Sequence, residues 1–173
     1  RRILKAMAKY SGFAEEAFDI VCIILDKMDK IGLEGVAEEL EKEGFAKEAI
    51  DKYLSLFQLV EGADNQIEKL CDTLTAAGCL EEEVKTNLIE IVNSVEATKE
   101  AEFKMVFDPT LVRGMGYYTG TIFEIAMPEF GGSCGGGGRY DKMIGNFTGN
   151  DVPACGFSIG FERIILLLIE SGF

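Results

Sequence analysis

Histidine is absent from the 173 residues. That excludes a Ser-His-Asp triad, a histidine-ligated zinc and a histidine general base. The five cysteines (Cys22, Cys71, Cys79, Cys134 and Cys155) include no C-x-x-C pair. An odd number without that spacing reads as reduced cytosolic thiols, and argues against a disulfide framework or a zinc site. A cytoplasmic location is therefore expected. There is no signal peptide, and no apolar run approaches the roughly 18 residues that a membrane span requires. Basic residues are scarce, with 17 Lys and Arg against 30 Asp and Glu, a net charge of -13. Such a balance argues against general affinity for nucleic acid or anionic membranes. The chain starts at Arg1, not at an initiator Met, as expected of a piece of something longer.

What is present is enough for a core: 47% of residues are apolar and 27% charged. The length allows one domain or two small ones. Composition shifts near residue 103. Residues 1–102 hold 12 Lys and Arg against 23 Asp and Glu, 6 of the 20 glycines and no proline. Residues 103–173 hold 14 glycines and all three prolines. One part is dense in helix formers and the other in turn and strand residues. We place the division at 102/103: a helical bundle in 1–102, then an α+β region in 103–173.

In the first part, apolar residues recur at spacings of three and four. Helices are expected over Arg1–Tyr10, Glu15–Lys30 with a stop at Gly32, Glu34–Glu43 ending at Gly44, Lys47–Leu59, Asn65–Ala76 and Glu81–Ala101. The longest presents Val84, Leu88, Ile91, Val92 and Val95 on one side, and its three leading glutamates suit the positive end of the helix dipole. In the second part the period changes. Phe103–Asp108 alternates as a strand does, and Asp108-Pro109 makes a break. Leu111–Arg113, Tyr118–Met127 and Pro153–Ile159 have strand composition. A turn at Pro128–Gly132 suggests an antiparallel neighbour. Gly135–Gly138 cannot be ordinary helix, Arg139–Gly145 fits one short helix, and Glu162–Ser171 reads as a buried helix. Antiparallel strands followed by a packed helix are an α+β pattern.

Three clusters in the second part could carry chemistry. In Leu111–Gly120 an arginine, Arg113, sits among glycines with Tyr117 and Tyr118. Its fork suits a carboxylate or phosphate, and tyrosine hydroxyls can fix a polar small molecule. An ordinary hairpin with strand tyrosines fits the same spacing. In Ser133–Asp141 four successive glycines let a backbone approach a ligand closely, ahead of Tyr140. No Lys-Ser/Thr follows, so it is not a Walker loop; a plain flexible loop is the alternative. In Pro153–Arg163 the strand glycines leave a flat floor for a planar ring, and Arg163 in the first helical turn could reach a phosphate. A surface Glu–Arg helix start is the alternative.

Taken together and in this order, the three clusters resemble class II aminoacyl-tRNA synthetases, and specifically the histidyl-tRNA synthetase family. Leu111–Tyr118 is similar to that family's first histidine-specific motif, Gly135–Asp141 to its second, and Pro153–Arg163 with the following apolar helix to class II motif 3. Residues 1–102 resemble the family's helical insertion, so the resemblance covers nearly the whole chain. It implies part of a class II antiparallel sheet with flanking helices. It implies that Arg113 contacts the histidine carboxylate and the ATP α-phosphate as the catalytic cation. Tyr117, Tyr118 and Tyr140 line the histidine pocket, Gly156 lies under the adenosine, and Arg163 grips the γ-phosphate. The implied reaction is adenylation of histidine by ATP, with Mg2+ entering alongside the ATP, then transfer to tRNA(His). The implied parent is a homodimer.

Two departures stand out. Gly116 occupies the place where the commonest form of the first motif has Asp. Motifs 1 and 2 and the anticodon-binding domain do not lie within these residues. The expectation is half an active site, inactive by itself, with exposed strand edges that favour self-association. Arg1, Arg2, Lys5 and Lys9 could form one basic helix face toward tRNA, although residues 1–102 carry a net -11 and a solvated face fits equally. Two other readings stay open: a non-catalytic, histidine-sensing regulatory paralogue, and a plain interaction module built on the acidic helices.

Overall fold

Where the helices of the first hundred residues stop is visible at their C-terminal ends. The computed structural model describes residues 1–112, 117–127 and 132–172. The chain divides into two compact units, Arg2–Val112 and Arg113–Phe173.

The first unit is a string of six helices: α1 (Arg2–Ser11), α2 (Phe18–Leu25), α3 (Met28–Lys42), α4 (Lys47–Val60), α5 (Gln66–Ala76) and α6 (Glu82–Thr98). A 3₁₀ turn at Glu15–Ala17 precedes α2. The end of α3 shows how local sequence sets the boundaries. Gly44 adopts φ 88°, its N–H donates to the Glu41 carbonyl at 3.0 Å, and Phe45 N–H donates to Leu40 at 3.2 Å. This is the glycine-closed helix terminus that lets the last carbonyls keep partners. The single helix expected over Glu15–Lys30 is instead a 3₁₀ turn, α2 and the beginning of α3. Gly32 (φ 68°, ψ 178°) is non-helical, so α3 is two helical segments that meet there, as the expected stop at Gly32 requires.

The core of this unit is aromatic and aliphatic. Tyr53 is buried, and Phe13 and Phe57 meet it edge-on at centroid distances of 5.4 and 5.3 Å. Phe13 also packs edge-on against Phe45 at 5.1 Å. Met7, Leu25, Leu40, Ile50, Leu56 and Leu70 fill the space around them. Burial pushes the Tyr53 hydroxyl's pKa well above its ordinary value. The stripe of α6 is only half sequestered. Val84, Leu88, Val92 and Val95 are intermediate and Ile91 is exposed.

Residues 103–112 do not form the strand expected at Phe103–Asp108, and Leu111 and Val112 are not in a strand either. Alternation alone makes no ladder, and among the described residues nothing pairs with this segment; Phe103 and Val106 are exposed. Asp108 instead accepts hydrogen bonds from the Thr110 N–H and hydroxyl at 2.8 and 2.6 Å, a side-chain-closed turn around Pro109. The compact helical unit takes this segment in, whereas composition alone divides the chain at 102/103.

The second unit is a three-stranded antiparallel sheet in the order β1 (Ile122–Met127), β2 (Gly132–Arg139), β3 (Cys155–Ile159). A single-turn helix, α7 (Gly145–Thr148), precedes β3, and α8 (Phe161–Glu170) follows it. The helix expected at Arg139–Gly145 is displaced: Arg139 ends β2, 141–144 form turns, and α7 comes after them. The glycine run is the central strand, not a loop. Glycine is a poor strand former, but it is tolerated where backbones approach closely. That is the case at Gly137, where a Cβ would lie 2.7 Å from the Phe157 Cα. The turn expected at Pro128–Gly132 falls on 128–131, outside the described residues, but its consequence, an antiparallel β1–β2 pair, is observed. The α+β expectation stands, while the buried helix does not. On α8, Ile165, Leu166, Leu168 and Ile169 are all exposed.

Candidate active site

One face of the sheet carries an opposed glycine pair, walled by tyrosines. Gly138 in β2 lies directly opposite Gly156 in β3. Opposed residues of an antiparallel pair point to the same face. Above Gly138 sits Tyr118, whose Cδ1 lies 3.0 Å from where a Cβ would be. Above Gly156 sits Tyr140, whose hydroxyl lies 2.5 Å from the corresponding position. The rings of Tyr118 and Tyr140 are 6.3 Å apart, and Tyr117 is 4.3 Å from Tyr118 and 6.2 Å from Tyr140. All three tyrosines named from sequence therefore converge. Arg113 and Gly116 lie outside the described residues.

A polar clamp ties together the two segments that carry the tyrosines. The Thr119 hydroxyl donates to the Asp141 carboxylate at 3.1 Å and accepts from the Asp141 N–H at 3.0 Å. Arg139 Nε donates to both Asp141 oxygens at 2.8 and 3.0 Å. Thr119 N–H reaches the Arg139 carbonyl at 2.8 Å, and Tyr140 N–H reaches Ala154 at 2.8 Å. Tyr118 precedes Thr119, and Tyr140 lies between Arg139 and Asp141, so the clamp fixes the backbone on which both rings stand. The Arg139 and Thr119 hydrogen bonds hold the Asp141 carboxyl below its ordinary pKa.

Arg163 occupies a different place. It lines an open groove of about 200 Å³ together with Ser133, Gly136, Ser158 and Gly160. Its guanidinium donates to the Ser133 carbonyl at the start of β2. Gly160 N–H donates to the Cys134 carbonyl at 2.7 Å, tying the entry of α8 to β2. Gly156 does not line this groove and belongs to the tyrosine cluster by contact.

The basic residues named for tRNA lie at or on α1, with Arg1 just before it. Arg2 is 3.9 and 3.7 Å from the Glu81 and Glu83 carboxylates. Lys5 is 4.0 Å from Glu15 and 5.6 Å from the centre of the Phe18 ring. Lys9 is exposed in the last turn. The face is thus interleaved with carboxylates.

Sequence reasoning missed the Thr119–Asp141 clamp and Glu124. The clamp links positions 22 apart, and no local pattern announces it. Glu124 pairs with Gly136, which places it two residues from Ile122, the partner of Gly138, and on the glycine face. Its position in an apolar strand, Ile-Phe-Glu-Ile-Ala-Met, was the available signal.

Comparison with known proteins gives this geometry a context. The family model described as "Histidyl-tRNA synthetase" matches residues 1–164. The chain belongs to the histidyl-tRNA synthetase family. It is 45% identical to the histidine–tRNA ligase of Leifsonia xyli subsp. xyli over 97% of this chain and 39% of that protein. It is 38% identical to the histidine–tRNA ligase of Christiangramia forsetii over 99% of this chain and 38% of that one. The crystal structure of histidyl-tRNA synthetase from Nostoc sp. PCC 7120 superposes with a TM-score of 0.84 at 29% identity, over 99% of this chain and 41% of that chain. A Bacillus halodurans protein titled as an ATP phosphoribosyltransferase regulatory subunit/histidyl-tRNA synthetase superposes less closely, with a TM-score of 0.62 at 25% identity, over 91% of this chain and 39% of that one. The chain thus spans about two fifths of the length of these relatives. Among the described residues no helix is long and apolar enough to cross a membrane.

Proposed function

We propose that the sheet unit supplies the histidine pocket and the motif 3 portion of a class II histidine–tRNA ligase active site. The observation that carries this reading is the convergence of Tyr117, Tyr118 and Tyr140 over the opposed pair Gly138 and Gly156, in a chain of the histidyl-tRNA synthetase family. The glycine pair lets the tyrosine rings sit close to the sheet, and a planar imidazole suits the aromatic surface that the three rings present. Tyrosine hydroxyls supply the polar contacts that orient it.

In the reaction, a carboxylate oxygen of histidine attacks the α-phosphorus of ATP. The bond from that phosphorus to the bridging oxygen breaks, and pyrophosphate leaves with its Mg2+. A ribose hydroxyl at the end of tRNA(His) then attacks the carbonyl carbon of the histidyl-adenylate, the bond to the phosphate oxygen breaks, and AMP leaves. Arg113 supports the charge that develops on the α-phosphate. Arg163 holds the γ-phosphate. Its guanidinium has five donors, of which the Ser133 carbonyl occupies one in the structure, so the others remain for a phosphate. The parent works in the cytoplasm as a homodimer. The relatives carry ligase names, which favours this reading over a regulatory paralogue.

For the helical unit we propose a weaker role toward tRNA through Lys5 and Lys9, since Arg2 is already matched by two glutamates. Charge reversal at Lys5 and Lys9 in the full-length ligase is expected to lower tRNA affinity about threefold. Unchanged affinity would remove the helix from the interface.

The test of the main reading is a split in steady-state histidine-dependent ATP–pyrophosphate exchange in the full-length ligase. Tyr118→Ala is expected to raise KM for histidine with little effect on KM for ATP. Arg163→Ala is expected to do the reverse. Effects of both substitutions on the same substrate would count against the assignment.

A further inference from the structure

We infer that Gly156 is a positioning residue for Tyr140, and so belongs to the histidine pocket and not to an adenosine floor. The inference rests on the pocket reading above and deepens it. Glycine is not demanded at 156 by the backbone, because Gly156 is not among the residues with positive φ. What demands it is space. A Cβ there would lie 2.5 Å from the Tyr140 hydroxyl and 3.4 Å from the Cε1 and Cζ of the same ring. Ordinary carbon–oxygen contact is about 1 Å longer than the first of these distances. The volume over Gly156 that an adenine would need is therefore taken by Tyr140.

The backbone that carries Tyr140 is anchored, so the ring itself would have to turn. The Tyr140 N–H is bonded to Ala154 at 2.8 Å. Its two neighbours are held to each other by the Arg139–Asp141 ion pair at 2.8 Å. The groove at Arg163 is lined by other residues, and Gly156 is not one of them. A methyl group at 156 would therefore displace the ring from its place in the cluster, where the Tyr117 and Tyr118 centroids are 6.2 and 6.3 Å away.

The experiment is a double-mutant cycle of Gly156→Ala and Tyr140→Phe, with two readouts. In thermal melts of the 173-residue chain, Gly156→Ala is expected to lower Tm. Adding it to Tyr140→Phe, which lacks the colliding oxygen, is expected to lower Tm much less. In the full-length ligase, Gly156→Ala is expected to raise KM for histidine on the order of tenfold. KM for ATP should stay within about twofold. A full Gly156→Ala effect on the Tyr140→Phe background, or a rise in KM for ATP with KM for histidine unchanged, overturns the inference. Coupling in the melts together with a histidine KM that neither substitution moves overturns the pocket reading, and with it the assignment of Gly156 to that pocket.

Discussion

The two units of this chain solve the burial problem differently. Nearly all the buried apolar side chains described, from Leu4 to Val112, belong to the helical unit, whereas in the sheet unit only Cys134 reaches that degree of burial. One face of the sheet shows the contrast most clearly. Phe123, Ile125, Phe157 and Ile159 alternate onto it, and all are exposed. The opposite face carries the glycine pair and the tyrosines. Helices can close a core from local segments because each presents one apolar stripe. A three-stranded sheet has two faces and two edges, and it needs other elements to cover them. The lesson is that a complete fold and a functional face are separate demands, met here by separate parts of the chain.

The largest expected effect tests that contrast directly. Leu70→Ala, at a fully buried position in α5, should destabilise the chain by about 2–5 kcal/mol in urea unfolding. Phe157→Ala, at a residue 66% exposed, should change stability by less than about 0.5 kcal/mol. Comparable losses would break the comparison.

Next comes association. The exposed apolar face and the sheet edges are expected to draw copies together in solution. Phe157→Ser should weaken that assembly about tenfold, since a buried Phe contributes roughly 1.5–3 kcal/mol. Light scattering showing a monomer at all concentrations would contradict the expectation.

Thiol reactivity sharpens the same contrast. Cys155 is exposed and should react first, while Cys22, Cys71 and Cys134 are buried. Burial pushes the Cys71 thiol up to about 11, so little thiolate is available there at neutral pH. With rising urea, Cys134 in the sheet unit should become reactive before Cys22 and Cys71. Simultaneous exposure of all three would mean that the units unfold as one.

The smallest effect concerns pH. The Asp141 carboxyl is held low by Arg139 and Thr119, so its folded pKa lies below its unfolded one. The clamp's contribution is therefore present above the ordinary carboxylate pKa and is lost as pH falls through the depressed folded value. The near-UV tyrosine signal should weaken across that acid range. Asp141→Asn should remove the pH-dependent part of the change. A profile identical in the variant would detach the clamp from the tyrosines.

How far the sequence led can be judged residue by residue. Gly44 was legible because a glycine-closed helix end is written in three or four adjacent residues. The three tyrosines stand out in local, distinctive motifs, but only the fold brings their rings together. The strand expected at Phe103–Asp108 was not, because alternation states a preference and only a partner makes a ladder. The exposure of α8 was hidden for a similar reason. Its apolar run says that the helix wants cover, but not whether cover lies within these residues. The Thr119–Asp141 clamp and the seat of Tyr140 over Gly156 arise only when β2 and β3 come into register.

The central claim is that the sheet unit holds one half of a histidine-activating site and depends on groups beyond it. The most direct test is histidine-dependent ATP–pyrophosphate exchange by the 173-residue chain, once circular dichroism shows that it is folded. The account predicts no exchange above background. Exchange at an enzymatic rate would mean that every essential group lies within these residues, and would contradict the division of the site proposed here.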